Sequence, residues 1–189
     1  MAKAKTLYLH ILCFFICCSV AGQNPVGSFD QSLSTTEQKR EQLQTIYQSQ
    51  VGVREQGGAN RGAQVEQYLA AVNFGPGYAW CAAFVSWCYQ QVGIDHPRSA
   101  WVPSYALEQN LIYKRGEFIR KLPQSGDAFL IWFDRLKRPA HIGFVEKWQA
   151  KWVITVEGNT NDDGSREGDG VYRKRRLQRQ VWAVADFID

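Results

Sequence analysis

Trp80-Cys81-Ala82-Ala83-Phe84-Val85-Ser86-Trp87-Cys88 begins an apolar run that continues to about Val92. Cys81, Phe84, Val85, Cys88 and Val92 recur at helical intervals, so the spacing predicts a helix from about Trp80 to Val92. Ala82, Ala83 and Ser86 are small enough to let a neighbouring layer approach that helix closely. The two thiols differ in place. Cys81 stands at the helix start, where the positive end of the macrodipole and the unpaired backbone amides favour a thiolate. Cys88 lies in the helix interior and reads as a buried core thiol.

Upstream, Ser34-Thr35-Thr36-Glu37 has capping-box spacing, and Leu43, Ile46, Tyr47 and Val51 follow at helical intervals, which predicts a first amphipathic helix. Four glycines between Gly52 and Gly62 make a loop, Val65, Tyr68, Leu69 and Val72 give a second helical stripe, and Gly75-Pro76-Gly77 turns the chain. Downstream, past a Pro- and aromatic-containing stretch from Asp95 to Tyr113, the pattern changes to strands. These are read at Ala128–Phe133, His141–Trp148, Trp152–Glu157, Val171–Leu177 and Val181–Phe187, with short links such as Gln149-Ala150 that imply antiparallel hairpins. Helices followed by a meander of strands define an α+β domain.

The 189 residues, 45% hydrophobic and with seven Trp, suit one packed domain. The first 21 residues read separately. Lys3 and Lys5 precede an apolar run from Leu7 to Val20, and Ser19-Val20-Ala21 offers a small-residue cleavage site, the pattern of a secretory signal peptide. The run is shorter than the ~20 residues of a membrane-spanning helix. Lipid attachment at Cys17 or Cys18 is an alternative, disfavoured because Ile16 or Cys17 rather than a small residue precedes each. Residues 22–33 are polar and contain Gly and Pro, which makes them a linker, and the domain is read from residue 34 to residue 189. Cys13, Cys17 and Cys18 would leave with the leader. Cys81 and Cys88 would then remain in an oxidising compartment, about 10 Å apart on one helix, beyond the ~7 Å reach of a disulfide. A thiol kept free there asks for a reactive role.

The formal charge of +4 falls to +2 once Lys3 and Lys5 are removed, too small an excess to argue for a polyanion. Arg173 to Arg176, with Arg179, form a basic cluster. It reads either as a solvated strand face or as a contact for an anionic cell-wall polymer. Nucleic acid is disfavoured by export.

His141 lies in Ala140-His141-Ile142-Gly143, sharing a strand face with Gly143, whose missing side chain leaves room beside the ring. Glu157 and Asn159 are two apart on the next strand, and either could accept the imidazole N–H and fix its tautomer. A thiol, an imidazole and a carboxylate or amide, in that order, are what a cysteine nucleophile needs for acyl transfer. The oxyanion would be held by the backbone N–H of Cys81 and one further donor, with Tyr78 and Asn73 as candidates. Trp80 is read as a wall of the substrate groove and Asp127, in Gly126-Asp127, as structural. The oxygen-rich loop from Asn161 to Asp169 lacks a glutamate at the place where a calcium loop requires one, and no zinc spacing occurs, so no metal is expected.

The segment from Gly57 to Gly93, with Asn60-Arg61-Gly62 followed by Tyr78-Ala79-Trp80-Cys81-Ala82-Ala83-Phe84-Val85-Ser86-Trp87-Cys88, resembles the CHAP domain, a family of cysteine- and histidine-dependent amidohydrolases and peptidases. Gly126-Asp127, Ala140-His141-Ile142-Gly143 and Glu157-Gly158-Asn159 follow in the family's order, so the resemblance spans about Val51 to Asp189. It implies a papain-like core, in which a helix bearing the cysteine packs on an antiparallel sheet bearing the histidine. It also implies cleavage of amide bonds in peptidoglycan, with Cys81 as nucleophile, His141 as general base and then acid, Glu157 as orienter and Asn159 as an auxiliary polar group. No cofactor is called for. The expected partner is the peptidoglycan substrate, with no membrane contact beyond the leader or a lipid anchor, and a monomer is expected. A catalytically silent wall-binding module and a secreted antibacterial toxin with the same chemistry are the rival readings. The first is weakened because a silent domain has no reason to keep Cys81, His141 and Glu157 together.

Overall fold

The computed structural model describes residues 34–163 and 167–189. The leader, its three cysteines and the linker lie outside the described residues. Three helices come first: α1 (Thr35–Ser49), α2 (Ala63–Ala70) and α3 (Cys81–Val92). Seven strands follow: β1 (Leu111–Lys114), β2 (Glu117–Phe118), β3 (Ala128–Phe133), β4 (Arg138–Trp148), β5 (Trp152–Thr160), β6 (Gly170–Leu177) and β7 (Ala183–Ala185). All pair antiparallel in one sheet of order β2-β1-β7-β3-β4-β5-β6. This is the expected α+β architecture, a papain-like arrangement of helices on an antiparallel sheet. Among the described residues no helix is long and apolar enough to cross a membrane.

The helix boundaries follow from local chemistry. Ser34 and Glu37 form a reciprocal capping box at the start of α1, and Leu43 and Tyr47 of that helix are fully buried. α3 is nearly all apolar and is buried from Cys81 through Ser86, as befits the central helix against which α1 and α2 both pack. Its Phe84 meets Phe144 of β4 edge-on at 5.9 Å, and Tyr47 of α1 stacks on the same Phe144 at 4.9 Å. Ile142, Phe144 and Val156 thus face the helices, while Phe129, Val145 and Val153 form a second cluster on the opposite face.

Three differences from the sequence reading have physical causes. β4 begins at Arg138, so His141 stands three residues inside the strand rather than opening it. The last strand is only three residues long. The hairpin of β1 and β2 falls beside a stretch read as irregular, because Leu111, Ile112 and Tyr113 are all buried and show no alternation to read.

The two sides of the fold are tied by a buried ion cluster. Arg40 of α1 donates to Asp127 at 2.7 Å, to Asp186 at 2.9 Å and to Asp189 at 3.3 Å, and Lys121 also pairs with Asp186 and Asp189. Asp127, fully buried, has the structural place expected of it. Burial pushes its carboxyl up to about 6 against the pull of Arg40.

Candidate active site

α3 presents Cys81 at its first residue, and the side chain is 6% exposed. No side chain caps this helix N-terminus, so no capping group competes for its first-turn amides. β4 supplies His141, whose Nε2–H donates to Oε2 of Glu157 on β5 at 2.8 Å. The other ring nitrogen is not engaged by Glu157, and the Cys81 side chain is among the groups that raise the imidazole pKa. Both neighbours matter to its charge. Burial alone would lower the imidazole pKa, but the hydrogen bonds to Cys81 and Glu157 outweigh it and raise the value to about 9. These partners bias His141 toward its imidazolium form, next to the Cys81 sulfur at a helix start.

Glu157 is fully buried and surrounded by donors. Arg176 of β6 reaches both of its oxygens at 2.5 Å, and Thr155 donates to Oε1 at 2.5 Å. Desolvation would raise its pKa, yet the Arg176 and His141 hydrogen bonds hold it down at about 2. The carboxylate is thus charged, fully coordinated and unable to swing. Gly143 makes this packing possible, since a Cβ there would lie 2.9 Å from Phe129 and 3.0 Å from the Glu157 side chain. The missing side chain therefore makes room for the neighbouring strand, whose Val156 carbonyl would be 2.7 Å from that Cβ, and for Glu157, rather than for the imidazole ring.

Asn159 takes a different place from Glu157. Its φ of 55° and the register shift between Glu157 and Thr160 break the strand alternation that would have put the two on one face. Its Oδ1 instead accepts from the backbone N–H of Trp80 at 3.1 Å, and its Nδ2 donates to Oδ1 of Asn60 at 3.1 Å. Glu55 closes this network, accepting from Trp80 Nε1 at 2.8 Å and from the Asn60 N–H at 2.7 Å. The start of α3 is thus pinned to β5 and to the loop before α2.

The groove-side expectations fare unevenly. Trp80 is 0% exposed and stacks on Tyr68 at 5.5 Å, so it is core and cannot wall a groove. Tyr78 is 56% exposed and leans on Phe74, and Asn73 is exposed. Neither lines the open cleft of ≈ 700 Å³ beside His141, which is bounded by Ile131, Trp132, Phe133, Leu136, Asn159 and Arg176 among others. On the other side, Tyr105 donates to Ala82 O at 3.3 Å and Ser99 O at 3.1 Å, seating the 99–105 loop on the first turn of α3. Exposed Trp101 from that loop lies under the Arg138 guanidinium at 3.9 Å. Cys88 is fully buried and burial pushes its thiol well up, as befits a core residue, and both described cysteines are free.

Sequence reasoning missed Arg176, Thr155, Asn60 and Glu55. A signal existed for Thr155, two residues before Glu157 and so on its face. None existed for Arg176, one of four consecutive cations. The basic cluster is divided by the fold: Arg176 turns to Glu157, Arg173 pairs with Glu146, and Arg175 lies over the Trp152 ring at 4.3 Å. Among the described residues no group of three or more His, Cys, Asp or Glu side chains is placed to hold a metal ion.

A thiol at a helix start, an imidazole on a strand and a carboxylate on its neighbour lie together within a papain-like, helices-on-sheet fold. The family model of the CHAP domain matches residues 73–159, a segment that contains Cys81, His141, Glu157 and Asn159. The family implies hydrolase activity on peptidoglycan. No curated protein is similar enough to the chain to count as a match.

Proposed function

We propose that this chain is an exported cysteine hydrolase that cuts an amide of peptidoglycan, either the link from muramic acid to the stem peptide or a bond within the peptides. The observation that carries the reading is His141 held between Cys81 and the coordinated Glu157 carboxylate. His141 takes the Cys81 proton, the thiolate adds to the scissile carbonyl, and the developing oxyanion is met by first-turn amides of α3, that of Cys81 foremost. The tetrahedral intermediate collapses as the C–N bond breaks and His141 gives its proton to the leaving amine. Water then attacks the thioester while His141 takes up its proton, which frees the acid and restores Cys81. Glu157 keeps the imidazole oriented and favours its charged form throughout. Asn159 acts through the backbone, holding the residue that precedes the nucleophile.

The test is digestion of purified sacculi with the chain from Gln23, the released fragments being identified by mass. New amino groups on L-alanine mark the amidase bond, and those elsewhere in the stems mark an endopeptidase. Cys81→Ser is expected to reduce release at least about a thousandfold, with Cys88→Ala remaining active. Undiminished release by Cys81→Ser would remove the mechanism.

A further inference from the structure

A second cavity, of ≈ 590 Å³, adjoins the cleft beside His141 and shares Ile131, Trp132, Asp134 and Arg176 with it. Its wall carries Arg115, Arg176 and Arg179 against a single carboxylate, Asp134. Arg176 is taken up by Glu157, but Arg115 and Arg179 have no carboxylate partner among the described residues. The Arg115 guanidinium lies 5.8 Å from the centre of the Trp132 ring, part of the wall common to both cavities.

The backbone gives an independent sign. Arg115 and Gly116 form the two-residue turn between β1 and β2, both with positive φ, at 53° and 96°. Such turns favour Asn, Asp or Gly at the first place, and a long cation there is strained. The strain is accounted for if the guanidinium has a ligand to meet.

We propose that this cavity binds an oxyanion, carboxylate or phosphate, carried by the same wall polymer whose amide is presented to Cys81. The proposal rests on the hydrolase reading above. Two uncompensated guanidiniums in a walled recess concentrate positive potential, and each offers a fork of N–H donors that fits a carboxylate or phosphate edge. The shared wall of Ile131 and Trp132 lets one extended substrate run through both cavities, with its anionic group in the second and its scissile bond at the His141 edge of the first.

The experiment uses the full chain carrying Cys81→Ala, so that nothing is consumed, and titrates it calorimetrically with three probes. These are a muramoyl peptide with free carboxylates, the same peptide with its carboxylates amidated, and poly(glycerol phosphate). Arg115→Asn combined with Arg179→Gln is expected to weaken binding of the anionic probe at least about tenfold, while the double change to lysine retains part of it. Binding that disappears on amidation assigns the stem-peptide carboxylates, and binding of the phosphate polymer alone assigns phosphate. Equal affinities for variant and parent, or no binding of any probe by the parent, overturn the site. Arg115→Asn alone is expected to raise the melting temperature because it suits the turn; a lowered value would show that Arg115 is kept for the hairpin and not for a ligand. If the unsubstituted chain released nothing from sacculi, the hydrolase reading would fail while these affinities stayed interpretable.

Discussion

At the scale of single residues, the site turns on one proton. His141 at about 9 and Glu157 at about 2 are shifted in opposite directions from ordinary values of 6.5 and 4.5, each mainly by its neighbours working against burial. A raised histidine contributes stability that is complete below its unfolded value and lost as pH rises through about 9. A lowered carboxyl contributes stability present above its unfolded value and lost as pH falls through about 2. Hydrolysis needs the imidazolium for the leaving amine, so the rate should fall on the alkaline side with a midpoint of about 9. Glu157→Gln removes a group that raises this value, so the alkaline limb should move to lower pH, measured as fragment release against pH. A limb that stays in place would show that Glu157 does not set the imidazole charge. Cys81, His141 and Glu157 were legible as residue types in order. Arg176 was not, because four cations in a row carry no alternation, and only the pairing of β6 with β5 decides which one turns inward.

At the scale of elements, the approach of α3 to β5 sets the geometry of the nucleophile. Gly158 is a point of close contact: a Cβ there would lie 2.8 Å from Phe84 and from Trp80. Gly158→Ala should therefore push the helix start off the strand, costing about 1–3 kcal/mol in thermal or denaturant unfolding. Activity should drop by more than the stability loss explains, since a displacement of about 1 Å at a reacting group can cost about a hundredfold. Activity equal to that of the parent would mean that α3 tolerates the shift. The three helices were legible because their apolar stripes are local, and β3 to β6 because each is a short apolar or alternating run bounded by turn residues. The β1–β2 hairpin was hidden since β1 is buried on both faces. The Asn60–Asn159–Trp80 tie was equally hidden, because it joins residues 99 and 79 positions apart whose meeting follows only from the assembled fold.

At the scale of the whole molecule, the Arg40 cluster fastens α1 to the strand side of the fold. Arg40→Met would leave Asp127 and Asp186 buried without their guanidinium, a loss of about 3–5 kcal/mol, or a melting temperature lower by roughly 10 °C for a chain of this size. The penalty should shrink as pH falls through about 6, where Asp127, already raised by burial, takes up a proton. Fragment release per folded molecule should be retained, because none of these groups approaches Cys81 or His141 in hydrogen bonding. A melting difference that does not vary with pH would show that the Asp127 charge is not what Arg40 offsets. The strand order has a consequence for how such a molecule comes into being. β7, the last strand along the chain, lies between β1 and β3, and among the described residues no other strand pairing connects the β1–β2 hairpin to the rest of the sheet. A nascent chain that has not yet delivered Ala183 holds two unjoined pieces of sheet, so the complete sheet closes only after synthesis has passed that point.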